Sequence, residues 1–429
     1  MQPVSILTII ALAAASQDLM EAKTAEEVLA EAERYTVEVE VVNAIGLNLD
    51  EGGNSTGTGF LVDKERGWLI TNAHVATRSP ASVEISFNDE KPIEARRIHV
   101  DPVIDLAVLE IQASRIPHTA LDAPLACEAL PAKGAAVLAY GHPKGLKYTG
   151  SRGIISGFTD RYLPHSYLMT DAQIDNGSSG GPLIRTDDGR VVGINTASTE
   201  SEKLSVSFAE PMPAVCRILE LLRSGKDAGA RHLNIGLARI GGDPLPIVAA
   251  TYDKQSALKA GDLITHVEES GPINNYADLL DLLRGSGETA MITVERENKS
   301  LVVPVRTHKV PDPLEAKAVD IAGLVISEAW FVDEPLVSNS YSLRVHFIDY
   351  SRAAGNTEAE ISSRVVSVDG KEFSSSEALY HYLNDKADDH EALIVLRTQT
   401  LSDLEYFAYD IIELPVSDVR LLHSGGKAQ

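Results

Sequence analysis

Residues 171–184 read DAQIDNGSSGGPLI, and this stretch decides how the first half of the chain is interpreted. It combines three glycines with a short apolar run at its end. Glycine adopts backbone conformations that a Cβ obstructs, so Gly177, Gly180 and Gly181 predict a tight turn around Ser179. The last two glycines then let the chain leave the turn as a strand. The stretch therefore predicts a loop that presents a serine side chain ahead of a β-strand.

Short β-rich runs fill the chain from Tyr35 to about Ala209, and turns rich in Gly, Pro, Asn and Asp separate them. The runs are TVEVEVV at 36–42, GFLVD at 59–63, WLITNA at 68–73, SVEISF at 82–87, LAVLEI at 106–111, AAVLAYG at 135–141, VVGINTA at 191–197 and SVSFA at 205–209. Strands at this density predict an antiparallel barrel or sandwich. The fold class is therefore mainly β.

The composition is that of an ordinary globular protein. The chain has 429 residues, of which 44% are hydrophobic and 23% charged, and its length predicts about three domains. Its net charge of −24 repels phosphate backbones, so we expect no nucleic-acid partner. Cys127 and Cys216 form no CxxC pair, and we expect two buried free thiols, with a disulfide as the alternative in an exported protein.

The amino terminus predicts export. The run VSILTIIALAAA at 4–15 is too short to span a bilayer, and small residues suited to signal-peptidase cleavage follow it. We therefore expect residues 1–16 to be a signal peptide and the protein to be periplasmic or otherwise exported. No Lys or Arg precedes the run, so a packed N-terminal segment of a cytoplasmic protein stays open as the alternative. Residues 18–35 show helical spacing of apolar residues and predict an amphipathic helix.

The C-terminal half contains an internal repeat. A predicted closing helix, MPAVCRILELLRSGK, follows Pro211 and is terminated by Gly225. Beyond it, HVEESGPINNYADLLDLL matches SVDGKEFSSSEALYHYL, and each copy continues into a strand that ends in Arg. The repeating unit predicts strand, tight turn, strand, helix and strand. We therefore expect a first domain at 17–225 and two small α+β domains at 232–309 and 319–418.

Three segments of the first domain carry groups suited to one chemistry. His74 follows a predicted strand, Asp105 opens another, and Ser179 lies in the glycine-rich loop. A serine nucleophile needs a base to take its proton, a carboxylate to orient that base, and two amides aimed at the developing oxyanion. The N–H groups of Gly177 and Ser179 are candidates for those amides. The chain order His, Asp, Ser is that of the chymotrypsin-like fold, with base and acid in one barrel and nucleophile in the next.

Each of these residues has a more ordinary interpretation when taken alone. A single His is usually structural, an Asp at a strand start is usually a cap, and a Ser among glycines is usually part of a turn. Their joint occurrence in a β-rich setting favours the triad. Asp101 competes with Asp105, but it precedes Pro102 and lacks a following alternating strand. Ser178 competes with Ser179, but Ser179 is the serine directly followed by the glycine pair.

These segments resemble the HtrA/Deg family of trypsin-like serine proteases. The resemblance is carried by TGTGFLVD at 56–63, TNAHV at 71–75, DLAVLEI at 105–111, DAQIDNGSSGGPLI at 171–184 and GINTA at 193–197. It implies a chymotrypsin-like double β-barrel followed by two PDZ-like domains. By position, it implies His74 as general base, Asp105 as its orienting carboxylate, Ser179 as nucleophile, and the amides of Gly177 and Ser179 as oxyanion hole.

The resemblance also implies an activity and partners. It implies an ATP-independent serine endopeptidase that acts on unfolded or misfolded polypeptides in protein quality control and stress response. It implies assembly into trimers or multiples of trimers, and substrate contacts by Ile194, Asn195 and Thr196. No metal or nucleotide cofactor is expected, since the chain has neither an HExxH nor a GxxxxGK[ST] motif.

Several residues depart from the family pattern. Ser178 stands where Asn or Asp is usual, Lys144 where an aromatic is typical of a regulatory loop, and Glu210 where an aliphatic residue is favoured. The activation mechanism and the specificity pocket are therefore open, and we expect a small or medium aliphatic residue on the acyl side of the cleaved bond.

The two C-terminal modules are predicted to bind peptides or to support assembly. Ile235, Gly236 and Leu237 resemble the loop with which PDZ domains bind a C-terminal carboxylate, whereas an ordinary β-edge is the alternative. Residues 322–325 occupy the analogous place in the second module, whose peptide binding is open. The competing function is a PDZ-bearing, chaperone-like binding protein with a latent or inactive protease domain. A trypsin-like enzyme outside protein quality control is disfavoured by the repeat.

Overall fold

The computed structural model describes residues 23–43, 45–47, 50, 52–88, 90–159, 166–201, 204–240, 243–328, 343–386, 393–401, 407–416 and 419–423. The predicted signal peptide and the first five residues of the predicted N-terminal helix lie outside this part of the chain. Within the described ranges, no helix has the length and apolar character needed to cross a membrane.

A first closed barrel has six strands in the order β1-β2-β3-β6-β5-β4. The strands are β1 (Thr36–Asn43), β2 (Gly53–Asp63), β3 (Trp68–Asn72), β4 (Ala81–Ser86), β5 (Ile93–Asp101) and β6 (Leu106–Glu110). Val37, Val39 and Val41 alternate along β1 and are buried, as a strand with one face toward a core requires. The alternating valines of this strand therefore form part of the inner face of the barrel.

A second closed barrel has the order β10-β11-β12-β9-β8-β7. Its strands are β7 (Ala136–Gly141), β8 (Thr149–Thr159), β9 (Tyr167–Thr170), β10 (Pro182–Arg185), β11 (Val191–Ser201) and β12 (Leu204–Pro211). The mainly β, double-barrel prediction is confirmed. Strand β10 is the strand that was predicted to follow the glycine pair. Strands β5, β8 and β9 were not among the predicted runs, and in β8 three glycines interrupt the apolar pattern.

Among the described residues, three α-helices accompany the barrels. Helix α1 (Ala25–Glu33) begins at a capping box in which Thr24 and Glu27 satisfy each other's main-chain N–H groups. Helix α2 (Ala73–Ala76) is a single turn after β3. Helix α3 (Met212–Arg223) buries Met212, Val215, Ile218 and Leu219, and Gly225 follows it with φ of 68°. The predicted closing helix therefore packs on the same core as the first barrel.

The two cysteines correct one prediction. Cys127 and Cys216 form a disulfide, with Cα atoms 5.7 Å apart, and Cys127 is exposed. The expectation of two buried free thiols is wrong, because the fold brings the segment before β7 against α3. That proximity is not visible in the spacing of the two residues.

The second unit is built on a five-stranded sheet in the order β14-β15-β16-β17-β18. Its elements are β13 (Arg231–His232), β14 (Ile235–Ile240), β15 (Asp243–Thr251), β16 (Leu263–Val267), α4 (Tyr276–Leu283), β17 (Thr289–Arg296), β18 (Lys299–Arg306) and β19 (His308–Lys309). Strands β13 and β19 pair with each other, so the chain enters and leaves this unit side by side. Leu279 and Leu283 of α4 face this unit's core, whereas Leu280 packs in the cluster of the first barrel.

The third unit is a seven-stranded sheet in the order β25-β24-β23-β22-β21-β20-β26. It comprises β20 (Lys317–Ile321), β21 (Leu324–Glu328), β22 (Leu343–Ile348), β23 (Arg364–Val368), α5 (Ser376–Asn384), β24 (Leu393–Leu401), β25 (Phe407–Pro415) and β26 (Val419–His423). Leu47, from the loop after β1, is buried against Ala318 and Val325 of this sheet.

The repeat corresponds to β16-α4-β17 and β23-α5-β24. Asn275 and Ser375 cap the two helices, each accepting a hydrogen bond from an amide three residues on. The expected second strand before each helix does not form. That segment is a loop in both copies, with a single bridge between Val368 and Lys371 in the second.

Candidate active site

His74 lies in the single-turn helix α2, directly after strand β3. The main-chain oxygen of Asp105 accepts hydrogen bonds from Ala73 N at 2.9 Å and from Asn72 Nδ2 at 3.1 Å. These two contacts bind the end of β3 to the turn that precedes β6. The His74 side chain is 43% exposed, whereas its neighbours Ala73 and Val75 are buried. The fold thus leaves the imidazole open to a cleft while its backbone is fixed.

The Asp105 carboxylate contacts His74 twice. Oδ2 lies 2.6 Å from His74 Nδ1, and Oδ1 accepts the His74 main-chain N–H at 2.9 Å. Asp105 has φ of 49°, a left-handed conformation that Asp tolerates better than most residues. The turn before it is held by Asp101, whose Oδ1 accepts the N–H groups of Val103 and Ile104. The carboxylate of Asp101 itself pairs with Arg284, so of the two competing aspartates Asp105 is the one that faces His74.

Ser179 is half-buried in the loop between β9 and β10. Its main-chain oxygen accepts Thr58 N–H at 2.9 Å, and Gly180 N–H donates to Asn195 O at 2.8 Å, so both barrels hold the loop. Its hydroxyl donates to Thr196 O at 3.0 Å. Thr196 Oγ1 in turn donates to Asp105 Oδ2 at 2.9 Å. One residue of β11 therefore contacts both the candidate nucleophile and the candidate acid.

The loop backbone requires glycine where the sequence has it. Gly177 has φ of 95°, and a Cβ there would lie 2.4 Å from His142 O. Gly180 has φ of 85°, and a Cβ there would lie 2.0 Å from Thr58 O. Among the hydrogen bonds within the described ranges, none uses the N–H of Gly177 or of Ser179 as donor. These two amides are therefore available to an incoming oxygen.

The loop at 141–146 packs against this turn. Lys144 N–H donates to Asn176 O at 2.7 Å, and Lys144 Nζ lies 3.2 Å from Asp175 Oδ1. The residue that departs from the family pattern thus contacts the segment just before the serine loop. His142 is buried beside it, and burial lowers the pKa of His142 to about 4, so its ring is neutral at physiological pH.

The pKa values of His74 and Asp105 are shifted in opposite directions. Desolvation lowers the pKa of His74, but the charge and hydrogen bond of Asp105 outweigh it and raise that pKa above 6.5. Burial raises the pKa of Asp105, whereas His74 and Arg78 lower it by more, so its pKa lies below 3.8. Asp105 is therefore ionised at neutral pH and favours the protonated imidazole.

The other predicted site residues are dispersed. Ile194 and Asn195 have fully buried side chains, so only the main chain of this part of β11 is left to meet a substrate. Glu210 pairs with Ile194 across β11 and β12 and is also buried. Ile235, Gly236 and Leu237 begin β14 of the second unit and belong to a different sheet.

The sequence analysis missed two contributors to the site and gave a third another role. The guanidinium of Arg78 contacts Asp105 and the carboxylate of Asp50, whereas the hydroxyl of Thr196 donates to Asp105. Thr196 was expected to contact substrate rather than Asp105. No local pattern marks Arg78 or Asp50, because their roles depend on which loops the barrel brings together.

Comparison with known proteins includes the candidate catalytic residues. Residues 57–194, which include His74, Asp105 and Ser179, match the family model of the trypsin-like peptidase domain. This part of the chain is therefore similar to trypsin-like peptidases.

The chain is similar to named proteases. A probable periplasmic DegP-like serine endoprotease of Chlamydia muridarum is 29% identical over 282 residues, covering 59% of this chain and 54% of the relative. A protein of the same name from Pseudomonas fulva is 32% identical over 286 residues, covering 61% of this chain and 58% of the relative. The mitochondrial serine protease HTRA2 of Drosophila sechellia is 27% identical over 291 residues, covering 58% of this chain and 66% of the relative. The chain thus matches little more than half the length of the DegP-like relatives.

A solved structure shares the fold. The HtrA-type protease AlgW with tripeptide covers 67% of this chain and 98% of its own, with a TM-score of 0.53 and 21% identity. The match to this structure shows a shared fold. Together with the DegP-like relatives, it confirms the predicted resemblance to the HtrA/Deg proteases.

Proposed function

We propose that this protein is an ATP-independent serine endopeptidase of the HtrA type that hydrolyses peptide bonds in unfolded or misfolded polypeptides. The observation that carries the proposal is the connected set His74, Asp105, Thr196 and Ser179, in which Asp105 contacts His74 and Thr196 links Asp105 to Ser179. The relatives named as serine endoproteases support the reaction class.

In the proposed mechanism, His74 accepts the proton of Ser179 as its oxygen attacks the substrate carbonyl. The serine hydroxyl, which donates to Thr196 O, turns toward Nε2 of His74 when a substrate enters. The Nδ1–H of His74 donates to Asp105, which stabilises the imidazolium. That imidazolium then protonates the leaving amine as the peptide C–N bond breaks, which leaves an acyl ester on Ser179. A water molecule, deprotonated by His74, attacks this ester, and His74 returns the proton to Ser179 Oγ as the ester bond breaks and the acid product leaves.

The tetrahedral intermediate carries its negative charge on the former carbonyl oxygen. The N–H groups of Gly177 and Ser179 are the donors that we assign to it, because neither is engaged within the described ranges. The backbone of Gly177 supports this assignment, since its φ of 95° and the 2.4 Å that would separate an added Cβ from His142 O allow only glycine in this turn.

An active-site fluorophosphonate tests the proposal directly. We expect it to phosphonylate the full chain at Ser179, as mapped by mass spectrometry of the modified peptide. Ser178→Ala is the matched control and should label normally, whereas Ser179→Ala should not label. The competing function, a binding protein with an inactive protease domain, predicts no adduct at Ser179 with or without added unfolded protein.

The pKa of His74 predicts the acid limb of activity. The base must be neutral to accept a proton, so kcat/KM should fall as the pH drops through the pKa of His74. Because Asp105 raises that pKa, the midpoint should lie above 6.5. A pH profile with a small peptide ester measures it, with circular dichroism over the same range as the control for unfolding. A flat acid limb would contradict His74 as base.

We assign the two C-terminal units, at 232–309 and 319–418, to PDZ-like modules that bind peptides or support assembly. In the first, Ile235, Gly236 and Leu237 begin β14, which lies at one end of the sheet and leaves an edge for an added strand. A free C-terminal peptide should bind Ser179→Ala about tenfold more tightly than its amide, given the strength of hydrogen bonds to a carboxylate. Fluorescence anisotropy measures this, and equal affinities would exclude carboxylate binding.

The remaining assignments follow from the relatives. We propose export, on the strength of the periplasmic names of the DegP-like relatives and the apolar N-terminal run. From the family resemblance we also propose self-association into trimers or multiples of trimers, and cleavage after small or medium aliphatic residues.

A further inference from the structure

A buried arginine bridges the Asp105 carboxylate to a second carboxylate behind it. Arg78 lies four residues after His74, and its Nη2 is 3.6 Å from Asp105 Oδ1, the oxygen that also accepts the His74 N–H. Its Nη1 is 3.1 Å from Asp50 Oδ1. The side chains of Arg78 and Asp50 are 13% and 6% exposed, so water screens these charges little.

Asp50 is held tightly in the loop after β1. Besides the guanidinium, its carboxylate accepts hydrogen bonds from Arg78 N–H, Thr77 Oγ1 and Ser79 Oγ. A carboxylate with this many donors is fixed in place. Asp50 therefore gives Arg78 a fixed anchor on the side away from Asp105.

We propose that Arg78 and Asp50 are positioning residues of the catalytic pair: Arg78 fixes Asp105 Oδ1, and Asp50 fixes Arg78 and balances its charge. The arrangement is a chain of alternating charges from Asp50 through Arg78 and Asp105 to His74. This inference rests on the proposed function, because it assigns a role relative to the general base.

The two residues act on His74 with opposite sign. The positive charge of Arg78 disfavours the imidazolium and lowers the pKa of His74, whereas the negative charge of Asp50 raises it. Asp105 remains the dominant partner. Two substitutions that break the same Asp50–Arg78 ion pair should therefore shift the titration of His74 in opposite directions. A purely structural tie between two loops would not produce this pattern.

Two further titratable groups face this cluster. Arg97 of β5 donates to the main-chain oxygens of Thr77 and Ser79. Burial lowers the pKa of Arg97 to about 10, and the charge of Asp50 opposes part of that fall. Tyr167 of β9 faces Asp105, and burial together with the charges of Glu210 and Asp105 raises its pKa far above neutral. Arg97 stays charged and Tyr167 stays neutral through the pH range in which His74 titrates.

The test titrates His74 in the full chain without requiring turnover. In a Ser179→Ala background, long-range ¹H–¹⁵N NMR follows the ring nitrogens, with His74 identified by the signal lost in His74→Gln. Arg78→Gln should move the His74 midpoint to higher pH, and Asp50→Asn should move it to lower pH. Arg78→Lys, which keeps the charge, should restore most of the wild-type titration. Arg96→Gln is the matched control, since Arg96 is an exposed arginine of the same barrel paired with Glu110.

Kinetics supply a second readout in the chain with Ser179 intact. On the alkaline plateau, Arg78→Gln should lower kcat roughly tenfold with little change in KM, as expected when an outer partner of a catalytic group is lost. Failure of the proposed function would leave the chain inactive but would not alter the NMR titrations. If Arg78→Gln and Asp50→Asn shift His74 in the same direction, or neither shifts it, the positioning role is wrong. If Asp50→Asn does not fold, equal titrations of Arg78→Gln and Arg78→Lys would overturn the proposal.

Discussion

The Ser179→Ala variant is expected to hydrolyse an unfolded protein such as casein more slowly by a factor on the order of 10⁴ to 10⁶. Removing a member of a serine triad typically costs this much, because the remaining groups have no nucleophile to activate. The Ser179 hydroxyl donates to Thr196 O, and the loop is held by the main-chain bonds to Thr58 and Asn195. The substitution should therefore leave the fold intact.

Ser178→Ala is the matched control for this prediction. Ser178 is the neighbouring serine, it is buried, and its main-chain N–H donates to Asp175 O whatever its side chain. We expect Ser178→Ala to retain activity within about tenfold of wild type, since it removes one hydroxyl outside the connected set of side chains. Release of acid-soluble peptides from labelled casein measures both variants. Equal digestion by Ser179→Ala and wild type would show that the nucleophile is misassigned.

The Arg284→Met variant is expected to lose about 3 to 5 kcal/mol of stability. Arg284 follows α4 of the second unit, and its guanidinium pairs with Asp101 at the end of β5 of the first barrel. Both side chains are fully buried. Removing one member of a buried pair leaves the other charge without compensation, which typically costs this much.

Arg284 also acts on the turn that presents Asp105. Asp101 accepts a hydrogen bond from the Arg284 guanidinium at Oδ2, and hydrogen bonds from the Val103 and Ile104 amides at Oδ1. Burial raises the pKa of Asp101, but Arg284 and His99 lower it by more. Since the folded-state pKa lies below the unfolded value, the pair contributes stability at neutral pH and loses it in acid. We therefore expect Arg284→Met to lower peptidase activity as well as stability.

Urea unfolding followed by circular dichroism measures the loss. The double variant Asp101→Asn with Arg284→Met should recover part of it, because it leaves no unpaired charge. Arg96→Met, which breaks an exposed pair with Glu110, should cost no more than about 1 kcal/mol. A loss from Arg284→Met as small as that of Arg96→Met would contradict a buried ion pair between the two units.

The chain alone determined the features that depend on neighbouring residues. The alternation of Val37, Val39 and Val41 determines a strand, Asn275 determines the start of α4, and the glycines around Ser179 determine a tight turn. These features arise from side-chain periodicity, capping and backbone freedom within a few positions, so they can be identified in one sequence. The same holds for His74, Asp105 and Ser179 as candidates.

Only the tertiary structure decided which distant groups meet. Four features join segments that lie far apart in the chain. They are the closure of the sheets into barrels, the bond between Cys127 and Cys216, the contact of Asp105 with His74, and the contacts of Arg78, Asp50 and Thr196 around that pair. Such contacts depend on strand register and on which surfaces are buried together. The sequence near each residue does not indicate which distant residue it will contact. The residue types therefore indicated the chemistry. The side chains that orient the catalytic residues could be identified only from the folded structure of the two barrels.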